Sequence, residues 1–105
     1  MKSITELINF NEGIVLESGK RLDAFDLMVE TYGELNESKT NAILLCHAFS
    51  GNHHAAGKNE DQNIGWWDQI VGPNKAINTD EYYVVCCNNI GGCSGSSGPT
   101  SINPN

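Results

Sequence analysis

The residues best placed to do chemistry lie where an apolar run stops. Ala42-Ile43-Leu44-Leu45-Cys46 ends at His47, and Ala48-Phe49-Ser50-Gly51 turns through small residues into the polar Asn52-His53-His54. A short apolar run bounded by loop residues predicts a strand buried on both faces of a sheet. The edge just past such a strand is where α/β proteins place their chemistry. Small residues around Phe49 let the backbone turn sharply and leave the Phe49 N–H unpaired by the sheet. An N–H aimed into a cleft can stabilise the developing oxyanion of an acyl transfer.

The second constellation is Gly91-Gly92-Cys93-Ser94-Gly95-Ser96-Ser97-Gly98-Pro99. Glycine-rich turns can cradle a phosphate with backbone N–H groups, but no G-x-x-x-x-G-K-[ST] is present. Gly91 to Gly95 also fits G-x-Cys-x-G, a thiol version of the nucleophile elbow. An elbow passes directly from strand to helix. Here Asn88-Asn89-Ile90 intervenes before the motif, and Ser96-Ser97-Gly98-Pro99 follows it. A structural or pocket-lining loop is the preferred reading.

His47, His53 and His54, with Cys46 or Cys93, have spacings that match no common zinc pattern, so no metal is expected. His53 and His54 read as loop polarity, and His47 as a histidine that fixes the loop by hydrogen bonding. Trp66-Trp67 could stack on a ligand, but a pair of tryptophans beside a loop more often anchors it.

Several elements must position these residues. Residues 1–12 are weakly patterned and read as an irregular arm. Ile14-Val15-Leu16 predicts a short strand, closed by the turn Glu17-Ser18-Gly19-Lys20. A second strand lies within Arg21 to Thr31, where Phe25, Leu27 and Val29 share one face and Asp26, Met28 and Glu30 the other. The two strands read as an antiparallel hairpin with one solvated face. After the strand at 42–46 comes a long loop over 47–65, uncommon unless functional or mobile. Trp66 to Ile70 reads as a short helical turn, stopped by Gly72-Pro73, and Ala76 to Glu81 as a polar connection. Tyr82 to Cys87 predicts a second buried strand. No amphipathic helix is visible to cover the sheet, so the 105 residues look like an incomplete part of one α/β domain, with no second domain.

Composition narrows the function classes. With 13 acidic and 6 basic side chains the net charge is −7, which argues against nucleic-acid and anionic-membrane binding. No signal peptide or membrane-spanning stretch is evident. Cys86 and Cys87 are neighbours in a predicted strand and point to opposite faces. A disulfide framework is not expected, and a reduced, cytoplasmic setting fits.

Together, Tyr32-Gly33-Glu34-Leu35-Asn36, Asn41 to Gly51, Gly65-Trp66-Trp67-Asp68 and Cys87 to Pro104 resemble the homoserine O-acetyltransferase family of α/β-hydrolase-fold enzymes. The likeness covers nearly everything beyond the N-terminal arm. It implies the N-terminal portion of that fold, an antiparallel hairpin leading into a mostly parallel central sheet. It also implies acyl transfer from acetyl-CoA, as co-substrate and without a bound cofactor, to the hydroxyl of homoserine, on the way to methionine. The family is commonly homodimeric.

Residue by residue, the resemblance makes the Phe49 backbone N–H an oxyanion donor. Ser50, Gly51, Gly91, Gly92 and Cys93 become walls of the substrate pocket, so Cys93 is a loop residue and not the nucleophile. The family usually has leucine at the position of Phe49 and often threonine at that of Ser50. Its nucleophilic serine sits in a G-G-S-M-G-G elbow, which does not occur in these 105 residues, and its triad aspartate and histidine follow that serine. The chain by itself is therefore expected to be inactive. Homoserine O-succinyltransfer, serine O-acyltransfer on the same fold, and a non-catalytic binding module are the alternatives.

Overall fold

The computed structural model describes residues 1–104. It holds eight strands and, among the described residues, no α-helix. In chain order they are β1 (Ser3–Phe10), β2 (Ile14–Val15), β3 (Arg21–Leu22), β4 (Phe25–Tyr32), β5 (Ala42–Leu45), β6 (Val71–Gly72), β7 (Ile77–Asn78) and β8 (Tyr83–Cys87). The main sheet has the order β1-β4-β8-β5, and β2-β3 and β6-β7 form two small pairs.

The N-terminal arm is not irregular. Ser3–Phe10 runs antiparallel along the whole of β4, from Ser3 opposite Tyr32 to Phe10 opposite Phe25. Ile4, Ile8 and Phe10 sit across from Thr31, Leu27 and Phe25, and the two phenyl rings stack with centroids 5.0 Å apart. Cross-strand pairs of this kind stabilise a sheet by a few tenths of a kcal/mol to about 1 kcal/mol each. The alternation is obscured because Glu6 interrupts the Ile4-Ile8-Phe10 face and Leu7 sits on the other, and both faces of this edge strand are largely exposed.

The expected hairpin exists but is smaller. β2 pairs with β3 around the predicted turn, where Gly19 has φ +87°. The long strand starts only at Phe25, and its partner is β1, so the hairpin is a separate flap. The expectation of a solvated face carrying Glu30 also fails: Glu30 and Val29 are both buried.

β8 is the central strand, antiparallel to β4 and parallel to β5. Side chains opposite each other in register share a face. Ile43, Leu45, Val84, Cys86, Glu30 and Tyr32 therefore lie together on one face. The crossover from β5 to β8, residues 46–82, folds over that face and buries Ala55, Ala56 and Val71 against Tyr32, Leu45, Val84 and Cys86. The crossover does this without a helix. Trp66–Ile70 forms hydrogen-bonded turns, with Val71 N–H reaching Trp67 O at 3.0 Å. The stretch read as a polar connection contains β7, which pairs in parallel with β6.

On the opposite face Val29 and Thr31 of β4 are buried, but Leu44 of β5 is 66% exposed. The strand expected to be buried on both faces is thus buried on one. In β8 the burial alternates for the same reason.

Candidate functional site

β5 and β8 run parallel, so the segments that follow them leave the sheet on the same side. Those segments are the His47–Gly51 turn and the Asn88–Cys93 loop. Between them is a cleft of about 550 Å³ lined by His47, Phe49, Ser50, Gly51, Asn88 and the 89–93 loop. All six residues expected in the site, Phe49, Ser50, Gly51, Gly91, Gly92 and Cys93, meet here.

The first wall is a tight turn. Gly51 N–H donates to Ala48 O at 2.8 Å, which makes Phe49 its second residue. The Phe49 ring is fully exposed. Its N–H has no hydrogen-bond acceptor among the described residues.

The second wall is braced from beneath by Asn88, which is almost wholly buried. Asn88 N–H donates to Met28 O at 2.8 Å, and its side-chain oxygen accepts Ser94 N–H at 3.1 Å. Ser96 Oγ donates to Asn88 O at 2.5 Å and accepts Met28 N–H at 2.9 Å. Ser97 extends the seam, its N–H bonding Asp26 O and its Oγ accepting Asp26 N–H, both at 2.8 Å. The serines therefore occupy the ladder positions on β4 that β8 leaves vacant. A Cβ on Gly92 would come within 2.7 Å of the Asn88 amide, so only glycine lets the loop lie this close to its brace.

Cys93 is exposed on this loop. Among the described residues no helix follows it; the chain turns back along β4 instead. The strand-to-helix geometry of a nucleophile elbow is therefore absent at Cys93.

His47 ties the walls together, in the hydrogen-bonding role expected of it. Its Nδ1 lies 2.7 Å from Ala48 O, and its Nε2 lies 3.1 Å from the Asn89 nitrogen. A carbonyl can only accept and a backbone N–H can only donate. The ring is therefore the neutral tautomer with its hydrogen on Nδ1.

His53 and His54 are not loop polarity. His54 is buried, with Nδ1 2.9 Å from Glu30 Oε2 and Nε2 2.9 Å from Asn63 O. Burial pulls the His54 pKa down, but the Asn63 carbonyl and the Glu30 carboxylate outweigh it and leave it above the ordinary histidine value. Burial lowers the His53 pKa, against the pull of Glu30. Tyr32 donates to Glu30 Oε2 at 2.7 Å, and burial, then that bond, push its phenol far up. This cluster went unread because Glu30 lies on a face that alternation assigned to solvent. The available signal was Tyr32 on the same face with two histidines following the next strand.

The tryptophans anchor as well as stack. Trp66 Nε1–H donates to Asn52 O at 2.9 Å, while the two rings stack on each other 5.7 Å apart and stay partly exposed. Among the described residues no group of three or more His, Cys, Asp or Glu is placed to hold a metal ion. Among them there is no helix long and apolar enough to cross a membrane.

No family profile matches the chain. Individual proteins do. Homoserine O-succinyltransferase from Alkalilimnicola ehrlichii is 60% identical over 99 residues, covering 92% of this chain and 26% of the relative. The protein of that name from Neisseria gonorrhoeae is 63% identical over 99 residues, with the same coverage of 92% and 26%. The chain thus spans about a quarter of the length of these curated relatives. Among solved structures, homoserine O-acetyltransferase from Bacillus anthracis superposes with a TM-score of 0.87 at 37% identity, over 99% of this chain and 30% of that one. Esterase E22 superposes equally, with a TM-score of 0.87 at 36% identity, over 98% of this chain and 30% of that one.

Proposed function

We propose, for a chain that shares its sequence with the homoserine O-acyltransferases and its architecture with the N-terminal portion of the α/β-hydrolase fold, that it supplies the oxyanion side of an acyl-transfer site. The observation that carries this reading is the free Phe49 N–H at the cleft between the two parallel strands' loops.

In the reaction proposed, a serine oxygen attacks the thioester carbonyl of an acyl-CoA. Negative charge gathers on the carbonyl oxygen, and the Phe49 N–H donates to it. The tetrahedral adduct collapses with loss of the CoA thiol and leaves an acyl-serine. The hydroxyl of homoserine then attacks the acyl-serine through a second adduct held by the same donor, which collapses by breaking the acyl–serine bond to give O-acylhomoserine and the free serine. Ser50, Gly51, Gly91, Gly92 and Cys93 shape the acyl and acceptor pocket.

The 105 residues contain no G-x-S-x-G, and in this reading the serine and its aspartate and histidine partners come from polypeptide outside them. Acetyl-CoA and succinyl-CoA are both candidate donors. Relatives at 60% and 63% identity carry the succinyl name, and a structural neighbour at 37% the acetyl name. The cleft residues contributed by this chain include no lysine or arginine to meet a succinyl carboxylate. A reducing, cytoplasmic setting and a homodimer go with this reading.

A chimera tests it. The residues of the Neisseria gonorrhoeae enzyme that align with this chain are replaced by it, and homoserine acylation is measured with each CoA donor. Transfer within about tenfold of the parent is expected. A folded chimera that transfers neither acyl group sinks the proposal. One that only hydrolyses the acyl-CoA puts the acceptor in doubt and favours the esterase chemistry named for a structural neighbour.

A further inference from the structure

A buried pair, Glu30 and His54, follows the Phe49 turn, with His54 three residues past Gly51 in the chain. Glu30 accepts three hydrogen bonds: from Tyr32 Oη at 2.7 Å and His54 Nδ1 at 2.9 Å on one oxygen, and from Thr5 Oγ1 at 3.1 Å on the other. The second ring nitrogen of His54 faces the Asn63 carbonyl at 2.9 Å. With an acceptor at each nitrogen, the ring carries both hydrogens and is an imidazolium. Tyr32 Oη in turn accepts Ala55 N–H at 2.8 Å and Ala56 N–H at 3.2 Å. Residues 54–56 are thereby bolted to β4.

This bolt follows the cleft turn directly in the chain. The turn closes at Gly51, and Asn52 Oδ1 accepts His54 N–H at 2.8 Å. The turn is consequently strung between two anchors, His47 on Asn89 before it and His54 on Glu30 after it. A donor to a transition state must be held to a fraction of an ångström, and a loop tied at one end cannot do that.

We propose that His54, as an imidazolium paired with Glu30, is a positioning residue for the cleft, fixing the trailing leg of the Phe49 turn by two hydrogen bonds, to Glu30 and to Asn63 O, which the ring can donate together only while it is protonated. The functional consequence rests on Phe49 being the oxyanion donor; the anchor itself does not. Glu30 from β4 contacts the ring, and Glu6 from β1 with Glu60 and Asp61 of its own loop line the cavity beside it, Lys58 being the single lysine among them. Asp68 from the tryptophan turn also feels the His54 charge, and His53 is its neighbour in the chain.

The folded-state pKa is raised. The anchor therefore contributes fully below the unfolded value, about 6.5, and is lost as pH rises through the folded value.

Nitrogen-15 NMR of the protein tests this. The His54 ring nitrogens and the exchange protection of Ala55, Ala56 and Gly51 are followed from about pH 6 to pH 10. Both ring nitrogens are expected to be protonated at the acid end. As His54 deprotonates, protection at Ala55, Ala56 and Gly51 should fall about tenfold or more after correction for intrinsic exchange. Glu30→Gln should move that midpoint to lower pH, and His54→Gln should remove the pH dependence. If His54→Gln does not fold, the wild-type and Glu30→Gln titrations still decide. A neutral His54 ring at pH 6, or protection at Gly51 indifferent to the His54 titration, overturns the proposal. A merely structural pair would lower the melting temperature without linking Gly51 to that midpoint. An inactive chimera would overturn the acyl-transfer reading and leave this result standing.

Discussion

The Asn89 N–H donates to His47 Nε2 across 3.1 Å, and through this bond the loop after β5 holds the loop after β8. The same ring donates from Nδ1 to Ala48 O at 2.7 Å, inside the turn that carries Phe49. One neutral imidazole thus sets the width of the cleft. His47→Ala in the chimera should leave the sheet intact and let the walls drift. A misplacement of about 1 Å can cost about a hundredfold in rate. We expect kcat for homoserine acylation to fall by about tenfold to a hundredfold, with a smaller change in KM. Retention of full kcat would show that the bond does not set the geometry.

If the donor is the Phe49 backbone and not its ring, the informative change removes only the N–H. Phe49 is the second residue of the Ala48–Gly51 turn, a position that proline favours, and its nitrogen bonds to no described group. Phe49→Pro should keep the fold and lower kcat by about a hundredfold to a thousandfold, as loss of one oxyanion donor does elsewhere. Phe49→Leu should cost little, because the exposed ring makes no buried contact. Equal losses for the two variants would assign the role to the side chain.

The cleft was legible because its two halves follow apolar runs, Ala42–Leu45 and Tyr83–Cys87, whose ends show in the sequence as a switch to small and polar residues. The pairing of those runs in parallel then brings both loops together. What stayed hidden depends on partners distant in sequence. Ser3–Phe10 is a strand because all of β4 lies beside it, not because of its own pattern. Asn88 looks like any loop asparagine until Met28, Ser94 and Ser96 close around it. Glu30 reads as a wet face until a crossover without a helix brings His54 down on it.

Tyr32 Oη serves four groups: it donates to Glu30, accepts from Ala55 and Ala56, and lies 3.3 Å from His53 O. Tyr32→Phe keeps the ring in the core and removes the hydroxyl. Each buried group left without a partner costs about 1–3 kcal/mol. The variant should unfold at clearly lower denaturant concentration with an unchanged m-value, measured by circular dichroism. An unchanged midpoint would mean that water replaces the hydroxyl.

Asp68 offers a test with the opposite sign to His54. Its Oδ1 accepts Gly57 N–H at 2.7 Å, and Lys75 Nζ lies 3.5 Å from Oδ2. The Gly57 bond holds the carboxyl below its usual value against the opposing effect of burial, with the Lys75 charge adding to it. A depressed carboxyl contributes stability above its unfolded pKa and loses it as pH falls through the folded one. Because the group is partly exposed, Asp68→Asn should cost less than about 1 kcal/mol at pH 7. The gap between variant and parent should close in acid, below about pH 4, in parallel urea melts. A gap constant with pH would show that only the neutral hydrogen bond matters.

The four cysteines are free, and their surroundings separate them. Cys86 is buried in the core, and burial, followed by the neighbouring Cys87 and Glu30, pushes its thiol up to about 12. Cys87 is half-buried and also raised by burial. Cys46 and Cys93 are exposed. Since the thiolate is the reactive form, iodoacetamide at pH 8 should label Cys46 and Cys93 first, Cys87 more slowly, and Cys86 only on unfolding. Peptide mass spectrometry reads the order directly. Cys93 adds a functional arm, because it lines the cleft with Phe49 and Gly92. In the chimera, its modification should block acylation of homoserine, while Cys93→Ala should stay active and become resistant to the reagent. Loss of activity in Cys93→Ala without reagent would make the thiol part of the chemistry and not of the wall.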